Sequence, residues 1–128
     1  MKTKFNKNWN KSIQPRKQIK FRMNAPKHIK SKLISSHLSK ELSEKHKKRS
    51  CRVKKGDKVK ILRGQFKGKS GKIERINMKH EKIYINGIDL AKKDGSKVFY
   101  GVHPSNLLIT ELNLDDKKRV ESLKRKSQ

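Results

Sequence analysis

The chain has few cysteines, few hydrophobic residues and few aromatic residues. Cys51 is the single cysteine, so an internal disulfide is excluded, which is typical of a reducing compartment. Hydrophobic residues make up 30% of the 128 positions, and most of them follow residue 50. One small core is therefore expected. No apolar run is long enough to span a membrane, and the first residues lack the apolar segment of a signal peptide.

Carboxylates are also scarce. Asp and Glu number 11 against 37 Lys and Arg, which gives a formal net charge of +26, and the first carboxylate is Glu41. Such a chain attracts polyanions, and each phosphate that it neutralises releases counterions. Nucleic acid is therefore the partner that the composition predicts. An anionic membrane is the alternative polyanion, and no segment of the sequence favours it.

No group of residues typical of catalysis or metal binding stands out. No histidine–carboxylate or cysteine–histidine pairing stands out, and residues 68–70 lack the preceding glycine spacing of a phosphate-binding P-loop. His37, His46 and Cys51 have neither a fourth ligand nor the paired cysteines of a zinc site. We predict that the chain is not an enzyme and has no catalytic residue, metal, cofactor or small-molecule substrate.

Residues 1–50 are predicted to form a basic, extended arm. Pro15 and Pro26 interrupt any long helix, and the aromatic residues follow no helical or strand period. A short helix is expected over 36–48, with Ser36 as its N-cap. We expect the arm to order on RNA, with its aromatic rings on bases or in crevices, and the rest of the chain to fold without it.

Residues 51–112 are predicted to form a small β-barrel, which makes the fold mainly β. Alternating apolar and polar residues predict five strands, near 58–62, 71–77, 82–86, 97–101 and 106–109. Turns are expected at 86–87, 94–95 and 103–104. The predicted core residues are Val59, Ile61, Ile73, Ile76, Ile83, Ile85, Val98, Val102, Leu107 and Ile109. A C-terminal helix is predicted over 113–128, with Asn113 as its cap.

The turn between the first two of these strands is the most informative segment. It carries glycines at 64, 68 and 71 among basic residues, so its backbone can turn tightly and approach a phosphate. Phe66 is its one large apolar residue and is expected to pack back onto the sheet. The pattern resembles the KOW motif, a hairpin of SH3-like barrels in ribosomal proteins and transcription elongation factors.

Several blocks outside this hairpin resemble one family. They lie at 25–29, 38–42, 49–50, 55–57 and 101–110. Together they are similar to the archaeal and eukaryotic branch of the universal large-subunit ribosomal protein twenty-four family, over roughly residues 14–123. The run at 114–119 favours the eukaryotic side. His46 departs from the family, whose members usually carry a tyrosine there.

The resemblance implies a structural component of the large ribosomal subunit that binds large-subunit ribosomal RNA (rRNA) early in assembly, near the polypeptide exit. It implies neighbouring ribosomal proteins as partners, exit-site targeting factors as further candidates, and a cytoplasmic location, with assembly starting in the nucleolus of a eukaryotic cell. The alternative is a transcription elongation factor whose KOW domain touches polymerase or nascent RNA. Residues 1–50 are too basic for the mixed α/β domain that such factors usually add.

The candidate RNA contacts are basic residues, loop glycines and polar turn residues. In the arm they are Arg16, Lys17, Arg22, Lys27, His28, Lys30, Lys40 and Arg49. In the barrel they are Arg52, Arg63, Lys67, Gly68, Lys69, Gly71, Lys72, His103 and Asn106. For the turn at 103–106 a structural role is favoured, with Ser105 or Asn106 bonding local backbone, and donation from His103 and Asn106 to RNA is the alternative.

Overall fold

A computed structural model describes residues 5, 6, 8, 9 and 11–125, and the strands of this part form one seven-stranded sheet. The elements follow the order α1 (Pro15–Asn24), α2 (Lys27–Leu33), β1 (Ser35–Leu38), α3 (Lys40–His46), β2 (Ser50–Arg52), β3 (Lys58–Ile61), β4 (Ser70–Asn77), β5 (Lys82–Ala91), β6 (Lys97–Val102), a 3₁₀ turn (Pro104–Asn106), β7 (Leu107–Glu111) and α4 (Lys117–Lys124).

The strand order in the sheet is β2-β1-β7-β3-β4-β5-β6. Neighbouring strands are antiparallel except for β1 and β7, which are parallel. The five predicted strands are all present, with ends that differ by a residue or two except in β5. The mainly β, small barrel-like fold with a C-terminal helix is therefore confirmed.

The core lies where the strand alternation predicts it. Val59 and Ile61 of β3 are buried while Lys60 between them is exposed. The other predicted residues that are buried are Ile73, Ile83, Ile85, Val102, Leu107 and Ile109. Ile76 is partly buried against them. The prediction for Val98 is wrong, since its exposed fraction is 42%.

The prediction of a turn at 86–87 is also wrong. Both residues lie within β5, which continues to Ala91. Gly87 has φ +80° there, and the pairing of β5 with β6 shifts register between Tyr84 and Asp89. Such a shift in mid-strand is typical of a bulge, which uses the same residue types as a turn. The turn predicted at 94–95 is present, with Gly95 N donating to the carbonyl of Lys92 at 3.0 Å.

Residues 35–38 and 50–52 join the sheet, although the sequence assigns most of them to the arm. β1 replaces the start of the helix predicted over 36–48, and α3 begins only at Lys40, with Ser39 as its N-cap. Ser36 is buried instead, and its Oγ donates to the carbonyl of Pro104 at 2.7 Å. Ile34 and Leu38 lie in the core. The sheet therefore crosses the boundary drawn at residue 50.

The preceding segment is helical, where the sequence predicted an extended arm. Pro15 is the first residue of α1 and Pro26 is the N-cap of α2, so each proline begins a helix and does not merely interrupt one. A proline fits there because the first helical N–H groups have no partner within the helix. Of the predicted arm, residues 1–4, 7 and 10 lie outside the described part of the chain.

The C-terminal helix is shorter than predicted and starts later. Its cap is Asp116, not Asn113, and Asp116 Oδ1 accepts from the backbone N–H of Lys118 at 2.9 Å. Leu123 and Arg119 of α4 are buried, which fixes the helix against the sheet. Residues 126–128 of the predicted helix lie outside the described residues. No helix in the described part is long and apolar enough to cross a membrane.

Candidate RNA interface

The loop between β3 and β4 is a tight, hydrogen-bonded turn. Gly68 N donates to the carbonyl of Ile61 at 2.8 Å, and Ile61 N donates to the carbonyl of Lys69 at 2.9 Å. Gly68 has φ +89°, a conformation that other residues rarely adopt. Phe66 is buried at the loop, with its ring centroid 5.0 Å from that of Tyr100. The prediction that Phe66 packs onto the sheet is confirmed.

This anchoring leaves four basic side chains of the loop region exposed: Arg63, Lys67, Lys69 and Lys72. None of them forms an ion pair with a described residue. The sequence has no carboxylate between Asp57 and Glu74, so the surface around them is positive. We call these four residues the loop surface. Exposed cations without carboxylate partners can meet phosphates without first breaking an ion pair.

Gly71 has a different role from Gly68. A Cβ added at Gly71 would lie 2.5 Å from the backbone oxygen of Asn86 and 2.8 Å from Cγ2 of Ile85. Nothing lies within 4 Å of the same position at Gly68. Gly71 is therefore needed for the close approach of β4 to β5, whereas Gly68 is needed for the turn and leaves its surface open.

The helices α1 and α2 carry a second group of candidates, which we call the helical surface: Arg16, Lys17, Arg22, Lys27, His28 and Lys30. All are exposed except Lys30, which is half-buried and donates from Nζ to the carbonyl of Met23 at 2.8 Å. No carboxylate precedes Glu41 in the sequence, so the two helices themselves carry no acidic residue.

Glu81 joins two candidates that the sequence did not connect. Its Oε2 lies 2.5 Å from Nη2 of Arg22 and 3.3 Å from Nε2 of His103. The Glu81 side chain is mostly buried, with 15% of its surface exposed. This contact attaches α1 to the β4–β5 turn and to the 3₁₀ turn, so Arg22 is held by the protein and is a weaker candidate than its helical neighbours. No local pattern in the sequence indicates a contact over this separation.

The turn at 103–106 has the geometry of a structural element. His103 Nδ1 lies 2.8 Å from Oγ of Ser105 and accepts from the backbone N–H of Ser105 at 3.3 Å. The carbonyl of Asn106 accepts from Leu62 N at 2.8 Å. The side-chain amide of Asn106 forms no hydrogen bond with a described residue. Asn106 thus contributes through its backbone. The bond between a side chain and local backbone in this turn is made by the His103 ring, and not by the side chain of Ser105 or Asn106 as the sequence predicted.

Lys40, Arg49 and Arg52 lie apart from the loop surface. Lys40 is the first residue of α3, Arg49 immediately precedes β2, and Arg52 is the last residue of β2. All three are exposed. In the sheet, β2 is separated from β3 by β1 and β7. The structure therefore divides the candidate residues between several areas. Among the described residues, no group of His, Cys, Asp and Glu could hold a metal ion.

Comparisons with known proteins assign the chain to a family. The family of eukaryotic L26 ribosomal proteins and their archaeal L24 counterparts matches residues 12–126. The large ribosomal subunit protein uL24 of Methanocella arvoryzae is 50% identical over 115 residues, 90% of this chain and 93% of that protein. The proteins of the same name from Methanosphaera stadtmanae and Methanospirillum hungatei are 45% and 47% identical over 90% and 88% of this chain, and over 98% and 93% of their own lengths.

The chain belongs to this family of large-subunit ribosomal proteins. Its role is a structural one in the ribosome, and it is not an enzyme. This result favours the ribosomal interpretation of the KOW-like loop over the elongation factor. The three relatives are archaeal, so they give no support to the eukaryotic side or to an assembly step in the nucleolus.

Proposed function

We propose that the chain binds large-subunit rRNA through the loop surface and the helical surface. The observation that carries this proposal is the loop itself. Four exposed cations surround a glycine turn there, and none of them forms an ion pair with a described carboxylate. Phosphate contacts of this kind fix the position of a protein on RNA and carry little sequence information. The rRNA fold around the site then supplies the specificity.

The second part of the proposal concerns place and time. Binding early in subunit assembly and near the polypeptide exit, next to other ribosomal proteins and within reach of exit-site targeting factors, is supported by the family resemblance. Assembled subunits would place the chain in the cytoplasm. A cross-linking map between chain residues and rRNA nucleotides tests the location, and cross-links far from the exit would contradict it.

Filter binding of the full chain to large-subunit rRNA, repeated over a range of salt concentrations, tests the RNA contact. The test variant replaces the four residues of the loop surface with Gln. The control variant replaces four exposed basic residues at the C-terminal end, Lys117, Lys118, Lys124 and Arg125, with Gln. Both variants lose the same formal charge, so they separate a local contact from the effect of net charge.

The loop variant should bind more weakly, and its slope of log affinity against log salt should fall by about 0.7–0.9 for each lost phosphate contact. The control variant should change the slope much less. Equal effects in the two variants would show that only net charge matters, and that outcome would contradict a role for the loop.

A further inference from the structure

Three aromatic rings outside the barrel core form a cluster against α1. Trp9 stacks on Phe21 with ring centroids 4.3 Å apart and 20° between the ring planes. Phe5 lies on Phe21 with centroids 5.0 Å apart. None of the three belongs to the core of the sheet, and each is only half-buried. A group of large rings that stays partly exposed is typical of a binding surface.

The cluster forms one wall of a surface cavity of about 450 Å³. Such a volume is within the usual range of sites for small organic groups. The remaining residues around the cavity are polar or basic: Asn6, Lys11, Ser12, Lys17, Lys20 and Asn24. The three lysines are exposed, and none forms an ion pair with a described residue. The cavity thus combines aromatic rings with free positive charge and side-chain amides.

This combination selects among classes of ligand. An apolar ligand gains nothing from three lysines, and a simple anion gains nothing from three aromatic rings. A nucleotide uses both, because its base stacks on aromatic rings while its phosphates attract the lysines. Side-chain amides such as that of Asn24 can also hydrogen-bond the edge of a base.

We infer that the cavity formed by Phe5, Trp9 and Phe21 receives one unpaired base of an RNA strand, while Lys11, Lys17 and Lys20 hold the adjoining phosphates. The inference rests on the proposed binding of rRNA and adds to it a subsite for single-stranded RNA. The alternative is that the rings only hold the N-terminal segment on α1. Stacking tolerates any base, so little sequence preference is expected at this position.

Trp9 is the single tryptophan of the chain, so its fluorescence reports on this cavity alone. The experiment titrates the full-length protein with a short oligoadenylate and with an abasic oligonucleotide of the same length. Both carry the same phosphates, and only the first carries bases. A fluorescence anisotropy measurement on labelled oligonucleotides follows total binding in parallel.

Oligoadenylate should quench the fluorescence of Trp9 and the abasic strand should not. Phe21→Leu should weaken the binding of oligoadenylate by about tenfold, the loss of one base–aromatic stack, and should leave the abasic strand unaffected. Phe99→Leu changes an aromatic residue that is 45% exposed and distant in sequence from the cluster, and serves as the control. It should change neither titration.

The outcomes separate the inference from the function on which it rests. Binding of oligoadenylate without quenching of Trp9, or equal quenching by both strands, would overturn the base subsite and leave the proposed function intact. Failure of the chain to bind its rRNA in the filter assay would instead overturn the proposed function. Lys17→Gln should weaken the binding of both strands equally, because Lys17 is assigned to the phosphates that both strands carry. A loss of binding limited to oligoadenylate would contradict that assignment.

Discussion

Arg119 and Asp57 form a buried, bidentate ion pair between α4 and the segment before β3. Arg119 Nη1 lies 2.6 Å from Oδ1 of Asp57, and Nη2 lies 2.7 Å from Oδ2. Burial by itself lowers the pKa of Arg119, but the hydrogen bonds and charge of Asp57 outweigh it and leave the pKa above its ordinary value. The guanidinium therefore stays charged, and it ties the C-terminal helix to the barrel.

The carboxylate of Asp57 is also satisfied from the barrel side. Its oxygens accept from the backbone N–H of Lys54 and of Asn113, each at 2.9 Å. Arg119 in turn donates to the carbonyls of Arg52 and Asn113 at 3.0 and 2.7 Å. The pair thus joins two chain segments that are far apart in sequence, with every bond of the guanidinium made by Nη1 and Nη2, while Nε is buried without a partner among the described residues.

Arg119→Met should destabilise the fold by about 3–5 kcal/mol, because it leaves Asp57 buried and charged without its partner. Urea unfolding followed by circular dichroism measures the change. Arg125→Ala is the control, since Arg125, the C-cap of α4, forms an exposed pair with Glu121 four residues earlier. The control should lower the free energy of unfolding by less than about 0.5 kcal/mol. Similar losses for both variants would show that the buried pair has no special role.

Gly71→Ala should destabilise the sheet by about 2 kcal/mol or more, since the new methyl group would overlap the backbone oxygen of Asn86. Ser70→Ala, at the exposed neighbouring position, should stay within about 0.5 kcal/mol of the parent chain. The free energy of unfolding in urea measures both. A tolerated Gly71→Ala would mean that β4 and β5 separate at little cost and that Gly71 is free to serve another purpose.

Lys67→Ala and Lys69→Ala should each weaken rRNA binding and lower the salt slope by about one unit at most. Both side chains are exposed on the loop surface, so the stability of the fold should not change. Filter binding over a salt series measures the slope, with Lys124→Ala in α4 as the control. An unchanged slope in both loop variants would argue against a phosphate contact by this hairpin.

His103→Ala should lower stability by about 1 kcal/mol, since it removes the contacts of the ring with Ser105 and Glu81. Asn106→Ala should cost about 0.5 kcal/mol or less, because the bonds of Asn106 to described residues are made by its backbone. Thermal melts of the two variants distinguish the roles. If Asn106→Ala keeps its stability and loses rRNA affinity, the side chain contacts RNA and the structural interpretation of this residue is incomplete.

Shortened chains should show which N-terminal residues are needed for folding. The sequence led to the expectation that a chain starting at Ser50 folds cooperatively, and the structure leads to the opposite one. That chain lacks β1 together with the buried Ile34 and Leu38, and it leaves the edge of β7 unpaired. A chain starting at Lys27 keeps all seven strands and should still fold. Circular-dichroism melts measure both, and a cooperative melt from Ser50 would restore the original division at residue 50.

The sequence by itself determined the hairpin of β3 and β4 and most of the core. Alternation at Val59 and Ile61, the glycines of the loop and the single apolar Phe66 are local signals, and each has one favoured structure. The family resemblance was also available from the sequence, because several separate blocks agree. The exposure of Lys72 followed from the same alternation, since it precedes the buried Ile73 on β4. Arg63, Lys67 and Lys69 lie in the loop, where no strand alternation applies.

Only the tertiary structure decided what residues 34–38 and the buried charges do. The four residues of β1 carry no decisive local preference, and they become a strand because β7 and β2 offer hydrogen bonds on both sides. In the sequence, Arg119 is one more basic residue of a basic helix, and only the structure shows that it pairs with Asp57. In the same way, only the structure places Arg22 and His103 beside Glu81. Pairings across such separations depend on the folded geometry, which no local pattern encodes.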